Sequence, residues 1–278
     1  MAGMKKSILI TGCSSGIGYE TAHALGQAGY DVYATARNAE DVDRLKREGL
    51  NAHQLDVTDP GSIDAALQWV LAQTDGTLYA LFNNAGYGQP GAVEDVPTAA
   101  LREQFETNVF GLHEMTRRVL PLMLQQGEGR ILQHSSVLGL VSLRFRGAYN
   151  ASKYAIEGLC DTLRLELEGT NVYVVTVNTG PIRSKFRDNA VRMFEKNIDA
   201  EASRFHKEYR TEVYKRKENK EEKDLFTRDA DAVIEKIVAA LEAERPAPRY
   251  YVTSATVLLA AMKRLLPTKR LDALLRKI

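Results

Sequence analysis

The sequence predicts an α/β fold, a doubly wound parallel sheet with helices on both faces. Three observations carry that prediction. Short apolar runs alternate with longer amphipathic stretches along most of the chain. The strand-like runs are largely apolar, as strands covered by helices on both faces are. Glycine and proline, as at Gly29 and Pro60, punctuate the junctions between runs.

Taken in order, "SILI" at 7–10 is the first strand, followed by a glycine-rich turn and a helix over 17–28. Gly29 ends that helix, as a C-terminal glycine does. A strand over 31–36, a helix over 39–48 and a strand over 51–57 come next. Pro60 suits the first turn of another helix. The segment 77–86 reads as strand into loop, 98–126 as a long helical region, and 129–136 as strand. A helix over 147–168, a strand over 171–178, a helix over 229–243 and a weaker strand over 249–252 complete the series. Repeated β-α-β units of this kind build one open sheet. The expected organisation is a single domain over 1–252, followed by a distinct segment over 253–278.

Composition narrows the function. The chain has 278 residues, 44% hydrophobic and 26% charged, with a net charge of +1. That length buries a large core, and that charge gives no general attraction to nucleic acid. Two cysteines, Cys13 and Cys160, are too few for a disulfide framework and imply a reducing, cytoplasmic setting. The apolar run near the N-terminus is too short for a signal peptide, and no stretch is long enough to span a bilayer. The five histidines are scattered singly, so no metal site is expected.

"TGCSSGIG" at 11–18 joins the first strand to the first helix. Gly12, Gly16 and Gly18 permit a tight turn and close approach, and the helix N-terminus beyond offers N–H groups to a pyrophosphate. A plain strand–helix turn would not normally need three glycines. A dinucleotide site then needs a discriminator after the second strand. There Ala36 is followed by Arg37, with no acid before Glu40. Arg37 is either a surface charge or the partner of a 2′-phosphate, and the absent acid favours NADP(H). Asp56, after the third strand, is placed to hold the adenine amino group or to cap the next helix.

"YNASK" places Tyr149 and Lys153 one helical turn apart on one face. Alone, such a pair is usually a surface pair or a packed ring beside an amine. Here it joins other motifs, and the chain resembles the short-chain dehydrogenase/reductase family from residue 7 to about 185. "TGCSSGIG" is similar to that family's cofactor loop, "NNAG" at 83–86 to the loop beside the adenosine, and "ETNVFG" to the segment carrying its asparagine. "SSVLG" is similar to its serine segment, and "NTGPIRS" at 178–184 to its nicotinamide loop, with Thr179 where proline is usual. A narrower resemblance, to bacterial NADP-dependent aldehyde reductases akin to retinol and 17β-hydroxysteroid dehydrogenases, rests on "LFNNAGYG", "GEGRIL" and "MKRLLP".

The resemblance implies a Rossmann-type, mostly seven-stranded sheet and an NADP(H)-dependent oxidoreductase. It implies cofactor contacts from Gly12, Ser14, Ser15, Gly16, Ile17, Gly18, Arg37, Asp56, Val57, Asn84, Ala85, Gly86, Tyr149, Lys153, Pro181, Ile182 and Ser184. Tyr149 is the expected general acid or base, its pKa brought down by the Lys153 ammonium. Ser136 would hydrogen-bond the substrate oxygen, and Asn108 would hold a water that relays protons to Lys153. The family spacing selects Ser136 over its neighbour Ser135. His134 reads as a packed or solvated strand-end residue. Homodimers or homotetramers are common in the family.

Two segments stand apart. Residues 185–224 hold 22 charged residues of 40, yet Phe194, Ile198, Phe205, Tyr209 and Val213 recur with helical spacing. They are either a solvated helical excursion or a flap whose stripe lines the substrate pocket. The tail sets Lys263, Arg264, Lys269, Arg270, Arg276 and Lys277 against one acid, Asp272, among leucines. It would pack on the domain or a second subunit, or touch a membrane surface. With apolar residues 137–145 after Ser136, the expected substrate is a hydrophobic aldehyde, ketone or alcohol. The competing readings are a non-catalytic nucleotide sensor and a peripheral membrane protein.

Overall fold

The computed structural model describes residues 6–214 and 226–278. Seven parallel strands form one sheet in the order β3-β2-β1-β4-β5-β6-β7. They are β1 (Ser7–Ile10), β2 (Asp31–Ala36), β3 (Asn51–Gln54), β4 (Ala80–Asn83), β5 (Gly129–Ser136), β6 (Val172–Thr179) and β7 (Arg249–Tyr251). Every expected strand is present. β3 is shorter than expected, because the Asp56 carboxylate accepts from Thr58 N and Oγ1 at 2.9 and 2.8 Å and turns the chain out of the ladder.

Alternation along the strands divides the apolar side chains between two layers. Ile8 and Ile10 face α1 (Gly16–Gln27), α2 (Ala39–Arg47) and α9 (Asp231–Glu242), where Leu25, Leu45 and Ile237 are fully buried. Leu9 faces the opposite layer, built from α3 (Pro60–Gln73), α5 (Leu112–Gln126) and α6 (Gly147–Glu166), with Ile63, Val119 and Ile156 equally buried. β1 pairs with β2 on one side and β4 on the other, so chain direction across the sheet reverses there. The crevice beyond those two strand ends is where such sheets bind ligands.

The helical region 98–126 is not one α-helix. α4 (Thr98–Phe105) passes into a π-helical turn over Glu106–Gly111 before α5 begins. Local sequence propensity does not announce a π turn, which is common at functional sites. Gly111 allows it to lie against the chain after β3, since a Cβ there would sit 2.6 Å from Val57 O.

The segment after β6 also differs from expectation. α7 (Phe186–Asn197) stops, the chain turns, and among the described residues α8 (His206–Tyr209) and a π-helical turn over Arg210–Tyr214 follow. The five stripe residues pack inward with Ala92 and Phe145 as a separate core instead of lining the cleft. Of the five, Val213 alone reaches it. Residues 215–224 of this segment lie outside the described residues. The tail forms two helices, α10 (Ser254–Leu265) and α11 (Thr268–Leu275), broken at Pro267.

A buried ionic network ties α6 to the last strands. Glu157, 6% exposed, accepts from Ser135 Oγ, from Asn178 Nδ2 at 2.7 Å and from Arg249 Nε at 2.9 Å. Arg249 Nη2 also reaches both Asp161 oxygens at 2.7 Å. Breaking a buried pair leaves an uncompensated charge, which costs more than the pair contributes. Arg249→Ala is expected to lower stability by about 3 kcal/mol in a denaturant titration, and adding Glu157→Gln should recover much of it. A loss of only about 0.5 kcal/mol would mean that water reaches the network freely.

Candidate active site

A cleft of about 510 Å³ opens at the C-terminal ends of the strands. Its first wall is the turn between β1 and α1. Gly12 has φ +73°, and a Cβ there would lie 2.8 Å from Ala85 Cα. A Cβ on Gly18 would lie 2.4 Å from Asn84 Nδ2. The turn can therefore press against the end of β4 only with glycine at both places. Asn84 completes the join, with Nδ2 donating to Thr11 O and Gly12 O at 2.9 and 3.0 Å.

Those two bonds orient the Asn84 amide so that Oδ1 faces His134 Nδ1 at 3.0 Å, and Nδ1 must then carry the hydrogen. His134 Nε2 lies 3.3 Å from Thr179 Oγ1. Burial, reinforced by the Lys153 charge, pushes the His134 pKa down to about 3, so the ring is neutral. It bridges the ends of β4, β5 and β6. The strand-end histidine is thus packed, and Thr179 supplies its partner.

Lys153 Nζ donates to His134 O at 2.5 Å and lies 5.5 Å from the Tyr149 ring centroid. Burial lowers its pKa to about 8, against the attraction of Glu157 one turn along α6. Tyr149 departs from the expectation that Lys153 would lower it. Burial pushes the phenol up to about 12, and the hydrogen bond with Ser136 only partly offsets this. The ammonium is committed to a carbonyl, whereas the phenol sits in an apolar wall with its ring 5.4 Å from that of Phe186. Ser136 Oγ also accepts from Leu138 N at 3.1 Å. Its neighbour Ser135 points the other way, to Glu157, as strand alternation requires.

Asn108 sits in the π turn, 1% exposed. Its side chain grips the loop after β4, accepting from Tyr87 N at 3.1 Å and donating to Tyr87 O at 3.0 Å. Nδ2 also lies 3.2 Å from Ser152 Oγ. Asn108 and Gly18 stand behind the cleft wall. Ser136, Tyr149, Lys153, Gly12, Ser14, Ser15, Gly16, Ile17, Arg37, Asp56, Val57, Asn84, Ala85, Gly86, Pro181, Ile182 and Ser184 all line it. Arg37 is exposed at one end. Asp56 faces the cleft while one carboxylate oxygen holds the Thr58 turn.

Sequence reading missed Arg44, whose Nη2 donates to Ser14 O at 2.6 Å and to Asp41 at 3.2 Å, fixing α2 against the glycine turn. It also missed Tyr87, Gly88, Gln89 and Phe186 along the wall. Gly88 carries the one legible signal, because a Cβ there would meet Phe186 at 2.9 Å.

A glycine turn and a helix N-terminus at one end of a crevice, with a serine, a tyrosine and a lysine at the other, define a dinucleotide-dependent oxidoreductase of the α/β class. The family described as short chain dehydrogenase matches residues 6–194. The chain is 41% identical over 273 residues to the uncharacterized oxidoreductase YbbO of Escherichia coli (strain K12), covering 98% of this chain and 95% of YbbO. It is 33% identical over 269 residues to 17-beta-hydroxysteroid dehydrogenase type 1 of Homo sapiens, covering 92% and 80%. A short-chain dehydrogenase structure from Streptomyces avermitilis superposes with a TM-score of 0.77 at 30% identity, covering 99% and 94%. The chain belongs to the short-chain dehydrogenase/reductase family and is an oxidoreductase of that family.

Gly18→Ala tests the glycine turn directly. The added methyl must displace the Asn84 amide, so affinity for a nicotinamide dinucleotide should fall at least about tenfold, or about 1.4 kcal/mol. Cooperative unfolding should persist. Unchanged affinity in a calorimetric titration would show that the turn tolerates the shift.

Proposed function

We propose that the protein transfers hydride between NADP(H) and an apolar aldehyde or ketone, interconverting it with its alcohol. The observation that carries this reading is the meeting of Ser136 and Tyr149 at the cleft floor, beside Val137, Leu138 and Leu143, with Lys153 behind them. The N-terminus of α1 and the side-chain-free surface of the glycine turn suit a pyrophosphate. Arg37, with no acid beside it on the strand end, suits a 2′-phosphate. The relative that acts on a 17β-hydroxysteroid adds support for an apolar substrate.

When bound, the nicotinamide supplies or accepts the hydride. The chain's own part is to place the carbonyl and move a proton. Ser136 Oγ and the Tyr149 phenol converge on one point, where a carbonyl oxygen would receive two hydrogen bonds as charge develops on it. A phenol with pKa near 12 holds its proton at neutral pH, as a general acid must. Lys153, when charged, stabilises the phenolate left behind. Asn108 positions the floor by holding the backbone of Tyr87 and the Ser152 hydroxyl.

Oxidation of NADPH and of NADH, followed with aldehydes of rising chain length, tests the proposal. NADPH consumption should rise with chain length, and Tyr149→Phe should abolish turnover while sparing NADPH binding. Preference for NADH would overturn the Arg37 argument. Tight binding without any turnover would instead favour a nucleotide sensor.

The titrations set a pH profile. Lys153, with its pKa lowered to about 8, is charged below that value and neutral above it. For reduction, kcat/KM should be level below about 8 and decline above it. Lys153→Met should be slow and lose that inflection. A level profile through the same range would remove the ammonium from the step.

A further inference from the structure

α10 shows two faces with different fates. Thr256 and Ala260 are buried against the domain, whereas Val257, Leu258 and Leu265 are 51%, 55% and 79% exposed. At 100° per residue, the exposed three fall within one narrow arc of the helix, with Ala261 between them. Lys263 and Arg264 follow in the last turn of the same helix, and Lys269 and Arg270 open the next, all exposed. The chain as a whole is nearly neutral at +1, so the excess of cations in this tail leaves the rest net acidic.

The inner side of the same two helices touches the site. Leu259 of α10 and Leu275 of α11 pack against Val137, Leu138 and Val141, in a cluster that also takes in Leu143 and Tyr149. Leu138, Leu143 and Tyr149 line the cleft on their other side. The tail is thus a wall one side chain thick between the cleft and the outer surface.

We propose that α10 and α11 dock this face of the protein on an anionic lipid surface, with Val257, Leu258 and Leu265 inserted among acyl chains and the lysines and arginines on the headgroups. An apolar stripe beside a cluster of cations matches a bilayer interface in both hydrophobicity and charge. A water-soluble partner would need acids opposite the cations and would still leave the stripe to be covered. The net acidic remainder is repelled by the same surface, which orients the molecule tail-first. Among the described residues no helix is long and apolar enough to cross a membrane, so the contact is peripheral.

The test is co-sedimentation of the full chain with vesicles of phosphatidylcholine alone, and of phosphatidylcholine mixed with phosphatidylserine. Binding should require phosphatidylserine and weaken as salt is raised. The surface variant Leu258→Ser with Leu265→Ser, and the charge variant Lys263→Gln with Arg264→Gln, should each lower the bound-to-free ratio about tenfold. Both should keep the parent melting temperature, because all four side chains are exposed. Binding to neither vesicle, or equal binding by parent and variants, would overturn the proposal. So would a dimer in sedimentation velocity that Leu258→Ser with Leu265→Ser dissociates, since a second copy would then cover the stripe. The readout is binding alone, so its failure is distinguishable from a failure to turn over carbonyls.

Discussion

The side-chain amide of Asn84 is the join on which the rest of the cleft depends. With one group it holds the carbonyls of Thr11 and Gly12 at the end of β1, and with the other it orients His134 at the end of β5. His134 in turn offers its backbone carbonyl to Lys153 and its second nitrogen to Thr179 on β6. Four neighbouring strand ends are thereby fixed to one another by side chains, beyond the last rungs of the sheet's own ladder. Each group is buried or half-buried, so each bond is worth most when the others are made.

This join ties the two halves of the cleft to each other. The glycine turn cannot shift without breaking bonds to Asn84, and Lys153 cannot shift without leaving His134. Preorganisation of this kind spares the reacting groups the cost of being ordered at the moment of reaction. The network of Glu157, Arg249 and Asp161 plays the corresponding part lower in α6, holding the helix that presents Tyr149 and Lys153. Polar contacts therefore surround the apolar wall that carries the phenol.

Much of this was legible in the sequence, for identifiable reasons. Strands β1 and β6 announce themselves because both faces of each are buried, which leaves them mostly apolar, as SILI and VYVVTVNT. The glycine turn announces itself because Gly12 and Gly18 stand where any side chain would overlap Asn84 or Ala85. What escaped was long-range or counter to local preference. Nothing near Arg44 says that its guanidinium will reach Ser14, thirty residues away. The stripe from Phe194 to Val213 has helical spacing, yet the chain breaks after Asn197 and buries it against Phe145. The pKa of Tyr149 also escaped, because spacing reveals a neighbour but not the depth of burial that outweighs it.

The π turn at Glu106–Gly111 has a consequence for which changes in length the chain can accept. A π turn is in effect one residue more than an α-helix would use over the same rise. Deleting any one of its residues would let the backbone close into a regular helix, with better local hydrogen bonding. The repair would leave the helix beyond it in phase, because the π turn absorbs its extra residue within a single turn. Met115, Val119 and Met123, now fully buried, would stay in the sheet interface, but Asn108 would leave the loop it grips. A surface loop absorbs a lost residue by slackening or tightening. Here the extra residue serves the cleft and not the core: its loss would be silent in the packing and felt where Asn108 holds the backbone of Tyr87.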